Sequence, residues 1–262
     1  MPIPLTRPET HLLLACAALL LAALLGPPVG QPAHIHDFAD QRALGAIPCA
    51  FDVLSNLAFA VAGAAGLFVL TRLPPPAMDT AERAGALLFL VGLLLTAAGS
   101  AWYHLAPDDA GLAVDRAAMS VAFAGLLGLL AAGRISPRAG VSLAGALLVL
   151  APASVAVCLL TGNVLPWALV QFGGMALLLA VLAATRPRPG ALPVRWGVVL
   201  AVYALAKLFQ MNDQALYAVT GELLSGHTAK HLIAAMAAWP VIDALFRQAQ
   251  QHNARHRAPQ VA

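Results

Sequence analysis

Three histidines, a serine and an aspartate carry the chemistry open to this chain. Ser100 and His104 lie four residues apart near the end of one apolar run, Asp115 opens the next run, and His227 and His231 lie four apart at the start of the last. Spacing of i, i+4 stacks side chains on one helix face, so His227 and His231 present two imidazoles together, as zinc-binding helices do. Ser100 and His104 repeat that spacing, and a short link through Pro107, Asp108 and Asp109 returns Asp115 to the same depth. Three neutral imidazoles leave a tetrahedral Zn2+ one open position, where the pKa of a bound water falls from about 15.7 to about 7. A carboxylate beside that water can orient it and take its proton, the role read for Asp115. Ser100, one turn deeper than His104, can donate a hydrogen bond to the oxyanion formed at an acyl carbon. Together these parts describe hydrolysis of an amide or ester whose acyl chain lies in a membrane.

Each residue alone has a plainer reading. A histidine at a helix end sits comfortably at an interface, and Asp115 beside Arg116 suits the positive end of a helix dipole. It is the joint placement of five such residues at one depth that favours a metal site, because intramembrane polar residues are costly and usually functional.

The elements that must hold these residues are membrane helices. Hydrophobic residues make up 60% of the 262 and charged ones only 10%, with a mean hydropathy of +0.80, a composition that belongs to lipid rather than water. The expected fold is all-α, a polytopic membrane helical bundle. Runs long enough to span occur at roughly 11–26, 50–71, 84–105, 113–133, 139–161, 164–185, 195–218 and 227–246, giving eight candidate helices. Glycine and proline clusters fall between the runs, and no fixed-period repeat or inverted pair of broken helices suggests a transporter. The net charge of +3 comes from scattered arginines without interleaved aromatics, so nucleic acid is not an expected partner. Cys16, Cys49 and Cys158 have no paired or ligand spacing and read as packing residues.

If loops alternate sides, Arg7, Arg72, Arg83, Arg134, Arg138, Arg186, Arg188, Arg195, Arg247, Arg255 and Arg257 share one side, and Arg42 alone lies on the other. The positive-inside rule makes the first side cytoplasmic, so the carboxyl terminus is expected there and the reactive residues face outward. The first run, one arginine followed by about fifteen apolar residues and Gly26-Pro27-Pro28, reads as an uncleaved helix or as a signal peptide. The remaining helices keep their orientation under either reading.

Several further polar residues invite assignment. Asp52 and Asn56, four apart, can support the metal site or simply join helices. Lys207, Gln210 and Asp213 share a face, which suggests an internal lysine–aspartate pair. Lys230 can snorkel outward or meet a substrate oxygen. His34 and His36 are expected solvated in a loop, His252 and His256 lie on the opposite tail, and Trp102 and Tyr103 are expected to anchor at the interface. Two rival functions share this pattern: a non-enzymatic lipid-binding, receptor-like protein, and a haem carrier using paired histidines.

At these residues the chain resembles the alkaline ceramidase family, within the seven-helix membrane hydrolase superfamily that includes the adiponectin and progestin receptors. The motifs are Ser100-Ala-Trp-Tyr-His104, Asp115-Arg116 eleven residues on, and Ser225-Gly-His227-Thr-Ala-Lys-His231. The entrance stretch from Phe38-Ala-Asp40-Gln-Arg42 through Ile47-Pro48 to Asp52-Val-Leu-Ser55-Asn56 is similar to bacterial members in particular. The resemblance implies that His104, His227 and His231 bind zinc, that Ser100 and Asp115 serve the metal and its water, and that a ceramide-like lipid amide is cleaved to a sphingoid base and a fatty acid. It also implies three regions: an amino-terminal helix or signal anchor with an outer loop (1–35), a seven-helix ceramidase-like domain (36–248) and a basic cytoplasmic tail (249–262). The setting implied is a bacterial inner membrane. Eukaryotic members carry a dense acidic calcium site, whereas this chain offers only Asp37, Asp40, Asp52 and Asn56 nearby, so Ca2+ regulation is not expected.

Overall fold

A computed structural model describes residues 4–257. Helices dominate because a backbone out of water must satisfy its amides and carbonyls internally, and the apolar runs offer no other partner. The first helix, α1 (Arg7–Leu25), begins earlier than its apolar run because the Glu9 carboxylate accepts from the Thr6 amide at 2.8 Å and caps it. A kink at Asn56 divides the next span into α2 (Ala50–Ser55) and α3 (Leu57–Arg72). Three long helices follow: α4 (Thr80–Leu105), α5 (Asp109–Arg134) and α6 (Pro137–Thr161). Their first turns are capped by the side chains of Asp79, Asp108 and Ser136. The sixth span comprises α7 (Leu165–Ala168), a π-helical turn (Leu169–Gly173) and α8 (Gly174–Ala184). After it come α9 (Trp196–Met211), α10 (Asp213–Val219), α11 (Gly226–Met236) and α12 (Trp239–Arg257).

The bundle is all-α, with no sheet among the described residues, and seven of its helical spans are long and apolar enough to cross a membrane. Leucines, valines and phenylalanines such as Leu14, Val61, Phe68, Val149 and Leu160 stand exposed around it, the surface a lipid solvent favours. The core is leucine-rich and centres on α4 and α5. These two helices meet backbone to backbone: a β-carbon on Gly92 would come within 2.3 Å of the Ala122 nitrogen, and one on Gly125 within 2.1 Å of the Phe89 nitrogen. Small residues at such a seam allow close packing where hydrophobic transfer supplies no drive. The close seam and the short link from Leu105 to Asp109 fix His104 and Asp115 in one layer.

Two sequence expectations change here. The run at 195–218 is two helices, because the chain breaks at Asn212; α9 alone, at 16 residues, is about 24 Å long and falls short of a hydrocarbon core of about 30 Å. The last run is interrupted after Met236 and restarts at Trp239, since Pro240 has no amide to donate and suits a helix's first turn. Its second half, α12, runs through the start of the predicted tail (249–262). Residues from 258 onward and the side chain of His256 lie outside the described residues. The first helix docks on the bundle through the buried Glu9 carboxylate, which accepts from the Ser136 hydroxyl at 2.6 Å and from Arg138 at 2.6 Å.

Candidate metal centre

His104 ends α4, fully buried, while His227 and His231 lie on the first turns of α11. A helix can begin at Gly226 because Ser225 caps it, its hydroxyl oxygen accepting from the Thr228 amide at 2.9 Å. The Asp213 carboxylate accepts from the His227 amide at 2.7 Å and from the Ala39 amide at 3.0 Å. Gly226 is needed at this place: a β-carbon there would stand 2.2 Å from the Phe209 carbonyl oxygen. The start of α11 is thereby pressed onto the end of α9.

One ring nitrogen from each of His104, His227 and His231 lies within 4.8 Å of the other two, the metal-competent group of this kind among the described residues. The Nε2 atoms of His104 and His227 are 3.2 Å apart. Two nitrogens each about 2.0–2.1 Å from a tetrahedral zinc stand about 3.3 Å from one another, so the separation suits a shared ion. The hydrogen bonds reinforce this fit. Ser55 donates its hydroxyl proton to the Asp52 carbonyl at 3.0 Å, which leaves its oxygen to accept from His231 Nδ1 at 2.8 Å. His231 therefore carries its proton on Nδ1 and turns an Nε2 lone pair into the site. The one lone pair of His227 Nε2 faces both His104 Nε2 and the Lys230 amine at 2.9 Å, and His104 Nδ1 is buried without a partner. Three imidazoles set this close fit a divalent ion held among them.

Ser100 and Asp115 join the same layer. The Ser100 hydroxyl lies 3.5 Å from His231 Nε2 and within reach of the Asp115 carboxylate, whose Oδ1 is buried and unpartnered. All five residues predicted from sequence thus converge. Phe38 covers them, its ring centroid 4.6 Å from that of His104 and 4.5 Å from that of His227. The entrance loop holding Phe38 is pinned by Arg42, which donates to Asp40 at 2.6 and 2.8 Å. Burial alone would raise the Asp40 carboxyl, but its hydrogen bonds from Arg42 prevail and hold it below the usual carboxylate range.

A cavity of about 1060 Å3 runs from the outer loop at His34 and Asp37, past Ser100, Asp115 and His231, down to Phe89, Leu126 and Ala237. Phe172 and Met211 line it and are also exposed on the outside of the bundle, so it reaches the surface beside α9. Its walls are mostly apolar, as those of small-molecule sites usually are.

Several expected roles shift. Asp213 does not pair with Lys207, because the break at Asn212 puts it on a different helix and its oxygens are taken by two backbone amides. Lys207 instead donates to Gln171 and Gln210. Tyr103 is not an interfacial anchor: it is buried, with its hydroxyl 2.8 Å from His36 Nδ1, whereas Trp102 faces outward as expected. His36 is accordingly tied down rather than free in solvent, also meeting Asp109 at 3.2 Å. Asp52 supports the centre through Thr228, which donates to it at 2.6 Å. Sequence reasoning missed Ser55, although its place one turn after Asp52, facing the same way, was the available signal. Phe38 stands in the entrance stretch, but its place over the imidazoles is not legible there, and no local pattern marks the Asp213 cap.

No protein-family model matches this chain, and no curated protein matches it either.

Proposed function

We propose that this chain is a zinc-dependent integral-membrane amidase of the alkaline ceramidase type, hydrolysing ceramide or a related long-chain lipid amide to a sphingoid base or other amine and a free fatty acid. The observation that carries the reading is the approach of the His104, His227 and His231 nitrogens to within 4.8 Å of one another, beside an apolar cavity that His227 and His231 line together with Ser100 and Asp115. A zinc ion held by those three imidazoles supplies a Lewis acid and lowers the pKa of a water to about 7. Asp115, with one oxygen unpartnered, is placed to accept a proton from the attacking water and pass it to the leaving nitrogen. Ser100 Oγ is placed to donate to the carbonyl oxygen as negative charge gathers there. Ser55 holds His231 in one tautomer, and Phe38 keeps bulk water off the imidazoles. The apolar cavity takes the acyl chain, and the opening beside α9 admits a lipid sideways from the bilayer. The arginine distribution supports an orientation with the centre toward the non-cytoplasmic face of a bacterial inner membrane and the carboxyl terminus inside.

The test is metal analysis of the purified protein together with incubation on ceramides labelled in the acyl chain. Stoichiometric zinc and release of labelled fatty acid that stops on chelation are expected. Hydrolysis that persists after complete zinc removal refutes the mechanism, and bound zinc with no turnover of any lipid amide would favour the receptor-like reading instead.

A further inference from the structure

The cavity contains a polar cluster that the hydrolytic set does not use. Lys207 of α9 turns into it, with its amine 3.2 Å from Gln171 Oε1 and 3.0 Å from Gln210 Oε1. Its hydrogen bonds go to these neutral oxygens, and it belongs to none of the ion pairs among the described residues, although Asp115 of the hydrolytic set attracts it from farther off. Both carboxamides spend their oxygens on the lysine, which leaves their NH2 groups free to donate. The hydroxyl of Tyr203, one turn deeper on α9, is buried without a partner in the same cavity, and the Tyr203 ring lies 5.7 Å from the lysine amine. Gln171 reaches this place because it sits in the π-helical turn Leu169–Gly173, a distortion that often marks functional sites. The cluster is rich in donors and holds no anion among its own four members.

Its depth shows which part of a ligand it would meet. Gly226 packs directly on the Phe209 backbone, so the two helix ends share a level. At 1.5 Å per residue, Lys207 lies about 3 Å inward of that level, His227 about 1.5 Å and Lys230 about 6 Å. Lys207 therefore stands in the layer of the imidazoles, beside the reacting carbon rather than along the acyl chain. Lys230, whose amine contacts His227, is the second cation of this layer; Asp115 attracts both lysines, while Asp52 and Asp213 attract Lys230 in addition, so Lys207 is the less balanced of the two. An intramembrane lysine hydrogen-bonded only to neutral groups is a functional site by default.

We propose that Lys207, Gln171, Gln210 and Tyr203 form a carboxylate subsite, and that the substrate is a long-chain amide whose amine half carries that carboxylate: an N-acyl amino acid. Lys207 with neutral donors around it, Lys230 being matched by carboxylates of its own, suits a monoanion better than a doubly charged phosphate. The inference rests on the hydrolase reading above. In the reaction the amide C–N bond breaks, the oxygen of water bonds to the acyl carbon, and a proton from that water passes to the nitrogen, giving a fatty acid and a free amino acid.

The experiment uses the full chain in nanodiscs with N-lauroylglycine, its neutral counterpart N-lauroylethanolamine, and laurate. Binding is measured by equilibrium dialysis on His231→Ala, which does not turn over, and hydrolysis by mass spectrometry on the zinc-loaded protein. N-lauroylglycine should bind, and be cleaved with a kcat/KM, about ten-fold or more above the neutral amide, the scale of a lost charge-assisted contact. Lys207→Met should bring both ratios to within about two-fold of one, Lys207→Arg should keep most of the preference, and Gln171→Leu should narrow it if Lys207→Met does not fold. No preference in the wild type, a preference that survives Lys207→Met, or laurate binding as tightly as N-lauroylglycine would overturn the proposal. Lys207-dependent binding without turnover of any amide would support the subsite and sink the hydrolase reading. Cleavage of ceramide without any anion preference would do the reverse.

Discussion

Removal of one hydroxyl, in Ser55→Ala, tests how the metal centre is organised. Ser55 is buried, donates to the Asp52 carbonyl at 3.0 Å and receives the His231 Nδ1 proton at 2.8 Å. Without it the imidazole loses the bond that selects its tautomer and fixes its ring plane, while His104 and His227 are untouched. Loss of an outer hydrogen bond to a metal-ligating histidine costs about 10- to 100-fold in metal affinity, or about 1.4–2.7 kcal/mol. The assay is competitive zinc titration against a chromogenic chelator of known affinity, in detergent, at fixed pH. Ser154→Ala is the control, because Ser154 is also buried but bonds only to the Ala151 carbonyl of its own helix, at 2.6 Å; its zinc affinity should equal that of the wild type. If Ser55→Ala binds zinc within about two-fold of the wild type while keeping its fold, His231 does not depend on Ser55, and the tautomer argument fails.

Other outcomes follow from the same geometry. His231→Ala should abolish stoichiometric zinc and lipid-amide hydrolysis together, with metal content by mass spectrometry as the check; full zinc retention would count against a three-histidine centre. Asp115→Asn should keep most of its zinc yet slow turnover by about two to four powers of ten, as expected for loss of a general base, and an unchanged rate would remove Asp115 from that role. Arg42→Met should lower the melting temperature near neutral pH. The Asp40 carboxyl is depressed in the folded state, so the pair's contribution is present above the unfolded value of about 3.9 and fades as pH falls through the lower folded value. The gap between variant and wild type should therefore close in acid, and a gap that is constant with pH would show that Arg42 acts by packing alone.

The sequence made the centre legible because its parts obey local rules. Histidines four apart must share a helix face, and polar residues at the ends of two apolar runs joined by a short link must return to one depth. Hydropathy likewise marks the spans, since a backbone in lipid has few alternatives to the helix. What stayed hidden depends on contacts far apart in sequence. Asp213 looked like the partner of Lys207 on one continuous helix, and only the break at Asn212 redirects it to the amides of Ala39 and His227. Tyr103 looked interfacial because aromatic residues near a span's end usually are, yet His36, 67 residues earlier, draws its hydroxyl inward. Gln171 carried no signal at all, because a π-helical turn has no hydrophobic period to read. Ser55 was the exception, in phase with Asp52 and open to inference.

The cluster of nitrogens also explains why so much of the surrounding chain is committed to second contacts. Three neutral imidazoles crowded together in a dry layer gain nothing from one another, and each must be held from behind so that its lone pair points inward. His231 is held by Ser55 and through it by Asp52, while the helix carrying His227 is held at its amide by Asp213 and at its first turn by Ser225. Asp52 connects these supports, since its carbonyl orders Ser55 while its carboxylate accepts from Thr228, which neighbours His227 on the ligand helix. His104 lacks such a partner on Nδ1; its ring is positioned by packing against Phe38 and Tyr103, whose ring centroids lie 4.6 and 4.9 Å from its own. Two ligands set by hydrogen bonds and one set by packing are therefore expected to differ in response. A substitution behind His231 should loosen the ion without moving helices, whereas a larger residue at Gly92 should displace α4 and carry His104 out of range together with the fold.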